Sequence, residues 1–468
     1  MNTLVMKFGG SSIGTTDALT QVLSIVLHER EQWDRLVLVA SALEGVTDGL
    51  IEAAHLAQMG QQRGYRRIVA NLRTRHLALI DELPLGTTER AALHADIDRL
   101  LFDMLDLYQG MAQITGKVTP EAIDATIGVG EKLAARIIAA LLRQNNLRSV
   151  ALDTTSLIVT DDVPGNATPN IALTRTQIAQ NLLPLLERSI VPVVTGFIGA
   201  TRNGKPTTLG RGGSDYTASV LGVCINATEI WIWTDVDGMM TADPRDVSGA
   251  RVIPSLSYEE AAEMAYFGAR VLHTRMIGPL RDDKIPLRVK NVYKPQQIGT
   301  LISDAGSVRS HTLKAITYIP GLAVEAKRTS EYSPIPVVYD KAVVSVPNGQ
   351  MDIIMSAQSA THSLACFLIP TTAGSDAIHT IRLAMEENLQ ANPMTQAWVV
   401  KNITFVTAIS ASVDNWSTLT ATILQTLKHI RILALSHGPS NSSLTIVVEN
   451  KDAEDALILM HGLVVNSG

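Results

Sequence analysis

The residues near the N-terminus have the types and spacing of a phosphate site. Lys7 lies near the end of an apolar run, and Gly9 and Gly10 follow shortly after it. Glycines let backbone N–H groups approach phosphate oxygens closely, and a lysine can neutralise charge on a phosphoryl group during transfer. A tight turn after an edge strand would explain the same residues without a ligand. The pattern favours a phosphate contact and leaves that simpler explanation open.

A second glycine-rich stretch, Thr207 to Ala218, contains an arginine and an aspartate and runs into a helical pattern. The N-terminus of a helix is a natural site for anions. Arg211 offers a planar fork that suits a carboxylate or a phosphate. Asp215 lies in the first helical turn, where it could simply complement the helix dipole. Because it stands beside Arg211 and a glycine pair, an organising role is favoured.

A third polar stretch, Trp233 to Arg245, begins where an apolar run ends in Thr234 and Asp235. Ligands of open α/β sheets bind outside the carboxyl ends of the strands. A polar loop in that place suits contacts to a nucleotide. Ordinary turn formation explains this loop equally well.

Glu131 is a carboxylate on an otherwise apolar helical face. Its neighbours at helical spacing are Ile127, Ala134, Ala135 and Ile138. A buried carboxylate needs a partner. That partner is either a basic side chain in a structural salt bridge or the ammonium group of a ligand, and the sequence leaves both open.

Two further glycine patterns are not interpreted as ligand sites. Residues 199–205 have the fixed spacings of a Walker A loop, but Pro206 stands where a Mg²⁺-binding hydroxyl is required. Asn203 and Gly204 instead predict a type I′ hairpin turn. The glycines at 128 and 130 lack the third glycine of a dinucleotide fingerprint and lie inside a helical pattern.

These residues are predicted to lie on a layered α/β framework. Over roughly the first 300 residues, runs rich in valine, isoleucine and leucine alternate with helical patterns, as in a mostly parallel sheet covered by helices. The predicted strands are 4–8, 36–40, 149–152, 190–198 and 229–234. The predicted helices are about 17–30, 45–60, 87–114, 119–144, 172–187, 214–225 and one that begins at 257.

The pattern changes after a small polar cluster at 303–307, where a domain boundary is predicted. Beyond it, strands are predicted at 313–318, 322–326, 365–369, 397–400, 404–410 and 444–449, and helices at about 376–390, 417–428 and 452–461. This order of elements indicates small α+β modules. The predicted division is 1–305 for a catalytic α/β domain and 306–468 for a second region.

Composition limits the classes of partner. The chain has 468 residues, of which 46% are hydrophobic and 18% charged, with a net charge of −6. The acidic balance argues against nucleic acid or an anionic membrane as the main partner. No apolar run approaches the ~18 residues of a membrane span, and the N-terminus lacks the pattern of a signal peptide. With two cysteines in apolar surroundings, Cys224 and Cys366, a soluble cytoplasmic protein is expected.

At these residues the sequence resembles the aspartokinases of the amino-acid kinase superfamily. Four stretches carry the resemblance in order: K-F-G-G-[TS]-S at 7–12, G-F-I-G through T-T-L-G-R-G-G-S-D-Y-T-A at 196–218, W-T-D-V-D-G-V-Y-T-A-D-P-R with two changes at 233–245, and E-A-A-E-M-A-Y-F-G-A-K-V-L-H-P with changes at 260–274. The resemblance implies an amino-acid kinase fold followed by two ACT-like modules. The first would span about 315–390, and the second about 391–468 with a strand near 312–318.

The resemblance implies transfer of the γ-phosphoryl group of MgATP to the side-chain carboxylate of L-aspartate. The product would be 4-phospho-L-aspartate, at the first step toward lysine, threonine and methionine. No general base is then required, because the acceptor carboxylate has a reference pKa of ~3.9 and is already ionised. Two alternatives remain: a weakly active protein that senses amino acids through its ACT modules, and a superfamily kinase with another acceptor.

The resemblance also implies a role for each candidate residue. Catalysis would depend on Lys7, Arg211 and Asp215. ATP would contact Lys7, Gly9, Gly10, Thr234, Asp235, Met240, Arg245 and Arg270. Aspartate would contact Ser41, Thr47, Glu131, Arg211, Gly212 and Ser214, with Glu131 on its α-ammonium and Arg211 on its α-carboxylate. Mg²⁺ would be held largely by the phosphates, with no site made of protein ligands alone. Met240, Arg270 and Thr274 depart from the family's tyrosine, lysine and proline.

The C-terminal region implies assembly and regulation. ACT modules of this family pair edge to edge between subunits, so a homodimer or a higher homo-oligomer is expected. Residues 356–363 have the polar and small side chains of an effector loop, whereas Pro334, Pro336 and Pro347 would interrupt the helix expected in the first module. The hypothesis is that lysine, alone or with threonine, inhibits this chain more weakly than relatives with intact modules.

Overall fold

The computed structural model describes residues 1–113, 119–269, 271–304, 313–327, 352–358, 362–368, 377–391, 398–410, 416–438 and 441–465. The chain forms two compact units. The first comprises 1–239, 254–258 and 271–304, and the second comprises 240–253, 259–270 and 305–468. Two stretches of the second unit therefore interrupt the sequence of the first.

The first unit is built on a mostly parallel sheet. Its strands, in chain order, are β1 (Thr3–Phe8), β2 (Arg35–Ala40), β3 (Ser149–Leu152), β4 (Val159–Thr160), β5 (Val191–Thr195), β6 (Ile198–Thr201), β7 (Pro206–Thr208), β8 (Glu229–Thr234), β9 (Ser255–Leu256), β10 (Leu287–Asn291) and β11 (Thr300–Ile302). Eight of them form one sheet in the order β3-β5-β2-β1-β8-β10-β11-β9, in which only the β10–β11 pair is antiparallel. Strands β4, β6 and β7 form a separate small sheet.

Helices connect and cover these strands. They are α1 (Thr16–Arg30), α2 (Val46–Gln58), α3 (Gln62–Glu82), α4 (Thr87–Gln113), α5 (Pro120–Ile127), α6 (Val129–Gln144), α7 (Ile171–Asn181), α8 (Leu183–Glu187), α9 (Gly213–Ile225) and α11 (Thr274–Asp282). Helix α10 (Tyr258–Tyr266) begins at the last residue of 254–258 and otherwise belongs to the second unit. Apolar side chains of β1, β2, α2, α4 and α6 share one large core. Within the described ranges, no helix combines the length and apolarity needed to cross a membrane.

Local sequence explains where several helices begin. The Thr119 side chain accepts a hydrogen bond from the backbone N–H of Ala122, and Pro120 follows it, so α5 begins with a side-chain cap and a proline at its first position. Thr15 caps α1 and Asn170 caps α7 in the same way. The cap places α5, and the break at Gly128 then lets the chain restart as α6.

The second unit is a curved antiparallel sheet with helices on one face. Its strands are β12 (Ala315–Lys327), β13 (Asp352–Gln358), β14 (His362–Leu368), β15 (Val399–Ile409), β16 (Ile432–His437) and β17 (Ser443–Glu449), and its further helices are α12 (Ala377–Gln390), α13 (Trp416–Thr426) and α14 (Ala453–Val465). The six strands run in the order β13-β14-β12-β15-β17-β16. Met355 of the edge strand β13 and Leu433 of the opposite edge strand β16 belong to the same core, so the sheet curls around that face. Helix α12 covers one half of the other face, and α13 and α14 cover the second half.

The stretch 240–253 folds with this second sheet. Its Ala242 and Val247 lie in the core beneath α13 and α14. The Thr241 carbonyl accepts a hydrogen bond of 2.8 Å from the Ile316 N–H. The Thr241 hydroxyl lies 2.9 Å from Nε2 of the buried His461, to which it is hydrogen bonded. These contacts make the stretch an integral part of the second unit.

The predicted fold class is confirmed: a layered α/β unit with a mostly parallel sheet is accompanied by an α+β region. Some predicted boundaries are wrong. The strand predicted at 190–198 is two strands in different sheets, because Phe197 adopts a positive φ of 69° between them. The helix predicted at 119–144 is broken at Gly128. The pairs of strands predicted at 313–326 and 397–410 are the single long strands β12 and β15.

Two turn predictions also change. The hairpin predicted at Asn203 and Gly204 joins β6 to β7, but only Gly204 has a positive φ, so the turn is not of type I′. The predicted effector loop 356–363 is mostly strand, since β13 reaches Gln358 and β14 begins at His362. The prolines at 334, 336 and 347 lie outside the described residues, as does part of the cluster at 303–307.

Candidate active site

The candidate residues of the first unit gather at the carboxyl edge of its sheet. Strands β2, β1, β8 and β10 are neighbouring and parallel, and they end at Ala40, Phe8, Thr234 and Asn291. Ligands of parallel sheets bind outside these ends because the connecting loops and helix N-termini meet there. The candidate residues on these strands and on the loops that follow them are therefore placed where such a sheet can bind a ligand.

Lys7 and Asp215 form a close ion pair at this edge. The Lys7 Nζ atom lies 2.6 Å from Asp215 Oδ1, and each side chain is only 12% exposed. Lys7 comes from β1 and Asp215 from the first turn of α9. An ammonium has three N–H donors, so one contact with Asp215 leaves others for an incoming anion. The carboxylate thus fixes the position of a positive charge at the sheet edge.

Gly10 lets the loop after β1 touch the loop after β2. A Cβ atom at Gly10 would lie 2.8 Å from the carbonyl oxygen of Ala42 and 3.1 Å from the backbone nitrogen of Glu44. Only glycine fits such an approach. The Ser41 N–H also donates to the Phe8 carbonyl over 3.2 Å. The predicted phosphate loop is therefore a neighbour of Ser41, which was predicted to contact the substrate aspartate.

Arg211 lies at the tip of a turn made by two glycines. Gly210 and Gly212 have positive φ angles of 75° and 68°, in the left-handed region that side chains disfavour. The Gly213 N–H closes the turn onto the Gly210 carbonyl at 2.9 Å, and Arg211 between them is exposed. The turn delivers the chain directly into the N-terminus of α9, where Ser214 and Asp215 follow.

Ser214 is held against the end of β2. A Cβ atom at Gly196 would lie 2.5 Å from the Ser214 Oγ atom, and the Gly196 N–H donates to the Ala40 carbonyl over 2.9 Å. Thr47, in the first turn of α2, is half-buried. Ser41, Thr47 and Ser214 thus all lie on elements that flank the carboxyl end of β2.

Glu131 lacks the structural salt bridge that the sequence left open. It lies in the first turn of α6 with 3% exposure, and no described residue forms an ion pair with it or a hydrogen bond to its Oε2 atom. Burial raises the pKa of Glu131 from its ordinary value near 4.5 to about 7, although the N–H groups of Glu131 and Ala42 partly oppose the rise. A Cβ atom at Gly130 would lie 2.7 Å from the Ala42 Cβ, so this carboxylate adjoins the loop after β2. The arrangement suits a cationic ligand.

The loop after β8 is tied to residues that the sequence did not single out. Asn291 donates from Nδ2 to the Asp235 carbonyl over 3.2 Å and to Asp237 Oδ1 over 2.5 Å. Lys294 lies 2.8 Å from Asp237 Oδ2, and this hydrogen bond lowers the pKa of Asp237. Asp235 itself is exposed, and the Thr234 hydroxyl donates to it over 3.1 Å. The alternation of Leu287 and Val289 was the available signal for β10, which the prediction omitted.

His273 is a second residue that received no predicted role. It caps α11 and packs on the Arg211 turn, since a Cβ atom at Gly212 would lie 2.4 Å from the His273 Cβ. Burial lowers the pKa of His273, and the nearby Asp215 carboxylate partly opposes that shift. The imidazole is thus a close neighbour of the Asp215 and Arg211 charges.

Three predicted nucleotide contacts are not among the described residues of the first unit. Met240 and Arg245 belong to the second unit. Met240 forms an isolated β-bridge with Val252. Arg245 donates two hydrogen bonds to the Asp243 carboxylate, which raise the pKa of Arg245. Arg270 lies outside the described residues. The contacts of these three residues with ATP stay predictions. Where the chain is described, no group of three or more His, Cys, Asp and Glu side chains could hold a metal ion.

Comparison with known proteins points to one family. The sequence model of the amino acid kinase family matches residues 2–291. A bifunctional aspartokinase/homoserine dehydrogenase 2 of Arabidopsis thaliana is 28% identical over 467 residues, which are 98% of this chain and 50% of that protein. The chain spans about half the length of this and other plant relatives that it matches.

Two Escherichia coli comparisons cover the full length. Lysine-sensitive aspartokinase 3 is 29% identical over 468 residues, which are 98% of each chain. The crystal structure of aspartokinase III in complex with aspartate and ADP superposes with a TM-score of 0.79 and 26% identity, covering 99% of this chain and 100% of that one.

Proposed function

The chain belongs to the amino acid kinase family, and we propose that it is an aspartate kinase, which transfers the γ-phosphoryl group of ATP to the β-carboxylate of L-aspartate. The observation that carries this proposal is the Lys7–Asp215 ion pair at the carboxyl edge of the sheet. The similarity to E. coli aspartokinase III, whose crystal structure contains aspartate and ADP, supports the choice of substrates.

The ATP half of the proposal rests on the loop after β1. Gly9 and Gly10 keep this loop free of side chains beside Lys7, so its N–H groups can approach phosphate oxygens. Lys7 neutralises charge that grows on the transferring group. Thr234 and Asp235 line the neighbouring strand end, where we propose that the nucleotide binds. The proposed contacts of Gly9 and Gly10 agree with the loop's position at the edge of the sheet.

The acceptor half rests on Glu131 and Arg211. The buried carboxylate of Glu131 receives the α-ammonium of aspartate, which satisfies its unpartnered oxygen. Arg211 receives the α-carboxylate, for which its planar fork is suited. Ser41, Thr47, Gly212 and Ser214 complete the proposed pocket. An amino acid held at both of its backbone groups can present only its side chain to the phosphoryl group.

The chemistry needs little beyond this alignment. The β-carboxylate is already a nucleophile at neutral pH, so no side chain has to remove a proton. Asp215 keeps the Lys7 ammonium in place, and the two together position positive charge beside the reacting groups. Mg²⁺, bound mainly by the phosphates, would supply further neutralisation of charge. The exposed Asp235 carboxylate at the end of β8 fits a role near that ion.

A coupled assay of ADP release tests the function. We expect turnover with L-aspartate, and little with L-glutamate, because one added methylene displaces the acceptor carboxylate from the phosphoryl group. Hydroxylamine should trap the acyl phosphate as a hydroxamate in the same reaction. An Asp215→Asn variant serves as the low-activity control. Equal rates with both amino acids, or ADP release without hydroxamate, would contradict the proposal.

We also propose that the chain forms a homodimer in the cytoplasm and that lysine, alone or with threonine, inhibits it weakly. The E. coli relative is named for its sensitivity to lysine. Ser356 of β13 and His362 of β14, which belong to the predicted effector segment, are exposed.

Calorimetry with each amino acid, beside inhibition curves and light scattering for mass, tests the regulatory proposal. Heat and inhibition at millimolar lysine are expected. Their joint absence would leave the second unit without an effector role.

A further inference from the structure

We propose that Arg275 is a positioning residue that holds the Arg211 turn in the conformation that binds the substrate. The proposal rests on the proposed function in one respect, namely that Arg211 contacts the α-carboxylate of aspartate. Arg275 lies in the first turn of α11, 64 positions after Arg211 in the sequence. Its guanidinium contacts residues on both sides of the turn, whereas the Arg211 side chain is exposed.

One guanidinium joins three parts of the chain. Its Nη1 atom donates to the Leu209 carbonyl over 2.6 Å and to Asn166 Oδ1 over 2.5 Å. Its Nη2 atom donates to the Ala167 carbonyl over 3.1 Å. The plane also stacks on the ring of Tyr216, with the central carbon 4.8 Å from the ring centre. Leu209 precedes the Arg211 turn and Tyr216 follows it, so Arg275 contacts the chain on both sides of the turn.

A buried carboxylate anchors the strand that leads into the turn. Asp124 of α5 is 4% exposed and accepts hydrogen bonds from the Thr208 N–H, the Thr208 hydroxyl and the Gly165 N–H. The segment 165–167 is therefore held by Asp124 at one end and by Arg275 at the other. Thr208 and Leu209 are both fully buried, so the chain is packed on all sides as far as the residue before Gly210.

The backbone of the turn consists largely of residues with wide conformational freedom. Gly210 and Gly212 gain conformational freedom from the absence of a Cβ, and Arg211 between them is exposed. Without an outside contact, such a turn would sample several backbone conformations. The Arg275 contacts to the preceding carbonyl and to the following ring select one of them. Arg211 then presents its fork in a fixed place, which lowers the entropic cost of binding aspartate.

Lysine cannot replace Arg275 in this role. Three acceptors on two segments need the spaced donors of a planar fork, whereas an ammonium is a single point of charge. We therefore expect Arg275→Lys to behave like Arg275→Ala, although it keeps the charge. A purely electrostatic role would give the opposite result, because Arg275→Lys would then retain wild-type behaviour.

The experiment compares Arg275→Ala and Arg275→Lys with Arg281→Ala in the full chain. Arg281 lies on the same helix, is exposed and pairs with its neighbour Asp282, so its loss removes an arginine of α11 without touching the turn. Tryptic cleavage after Arg211 and amide hydrogen exchange at 209–213 report the turn directly. We expect both rates to rise at least about tenfold in the two Arg275 variants and not in Arg281→Ala.

Kinetics provide the second readout. The KM for aspartate should rise by about 10- to 100-fold, with a small change in the KM for ATP. Millimolar guanidinium chloride should restore part of the aspartate KM of Arg275→Ala by filling the vacated place. Melting temperatures separate these effects from a loss of folding, and Asn166→Ala, which removes one acceptor only, should give intermediate cleavage rates.

The outcomes distinguish the two proposals. Faster cleavage and exchange with an unchanged aspartate KM would overturn the positioning role, because Arg275 would then stabilise the turn without affecting the binding of aspartate. Unchanged cleavage and exchange in a folded Arg275→Ala protein would overturn it as well. If the wild type has no activity with aspartate, the proposed function fails. The role of Arg275 is tested separately, because an unchanged rate of cleavage after Arg211 in Arg275→Ala would overturn it even then.

Discussion

Replacement of Lys7 by alanine is expected to lower kcat by about 100-fold or more while changing the affinity for aspartate little. Charge accumulates on the phosphoryl group only as transfer proceeds, so the contact from Lys7 strengthens in the transition state. Asp215 holds the Lys7 ammonium for this task. The two charged atoms lie 2.6 Å apart, and each side chain is only 12% exposed. A loss confined to kcat would identify Lys7 as part of the reaction and not of substrate binding.

The control must separate catalysis from the loss of a shielded ion pair. Lys7→Ala leaves Asp215 without its partner, which alone destabilises a protein. Arg288 and Glu229 form a pair of similar exposure, 19% and 17%, away from the candidate residues. Arg288→Ala should lower the melting temperature by a similar amount and leave kcat nearly intact. Near-normal turnover in folded Lys7→Ala protein would remove Lys7 from the mechanism.

The second large effect is expected at Glu131. Glu131→Gln keeps the shape of the side chain and removes its charge, so the proposed pair with the α-ammonium is lost. Removing one partner of a buried charge pair costs roughly 2–5 kcal/mol, which raises the KM for aspartate by about 100-fold or more. The KM for ATP should change little. A matched rise in both constants would indicate a folding defect, which circular dichroism can detect.

The same residue predicts a dependence on pH. The pKa of Glu131 is raised to about 7 by burial, so the carboxyl is largely neutral below that pH in the empty protein. A ligand ammonium prefers the ionised form, so aspartate affinity should increase by up to about tenfold per pH unit below pH 7 and level off above it. Calorimetric titrations between pH 5.5 and 8 measure this slope, and Glu131→Gln should abolish it.

Stability offers a check that needs no substrate. A carboxyl whose pKa is raised in the folded state destabilises the fold once it ionises. Relative to Glu131→Gln, the empty wild type should therefore lose stability as the pH rises from near 4.5 to about 7 and change no further above that range. A constant difference between the two melting curves would contradict the burial argument. Saturating aspartate should reduce the loss, because its ammonium compensates the buried charge.

Sequence patterns selected residues that the structure brings near one sheet edge, whereas several predicted element boundaries are wrong. Lys7, Asp215 and Glu131 could be selected because a lysine before two glycines, an acid in a first helical turn and a carboxylate on an apolar face are each unusual locally. Their meeting at one edge follows from parallel strands. Helix α3 was omitted because the charged run at 62–67 obscures its apolar period, although its Tyr65 and Ile80 are fully buried.

Long-range contacts could not be read in this way. Gly128, between α5 and α6, packs against Ile198, since a Cβ at Gly128 would lie 2.4 Å from an Ile198 methyl group. Arg275 finds its partners 66 and 109 positions earlier in the chain. Nothing in the local pattern of α11 marks it, because an exposed-looking arginine at a helix start is ordinary. Asn291 and Lys294 were missed for the same reason, as their acceptors belong to the loop after β8.

The interruption of the first unit by 240–253 and 259–270 constrains how such a chain can be inherited. A single crossover near codon 304 between two homologous genes would join the C-terminal sheet of one protein to the stretches 240–253 and 259–270 of the other. Ala242, Val247 and Phe267 would then enter a core for which they were not selected. Thr241 would then face a helix that was not selected to carry a histidine at the position of His461. Both insertions must therefore be exchanged, or must diverge, together with the sheet that holds them, so the three parts form one hereditary block despite their separation in the sequence.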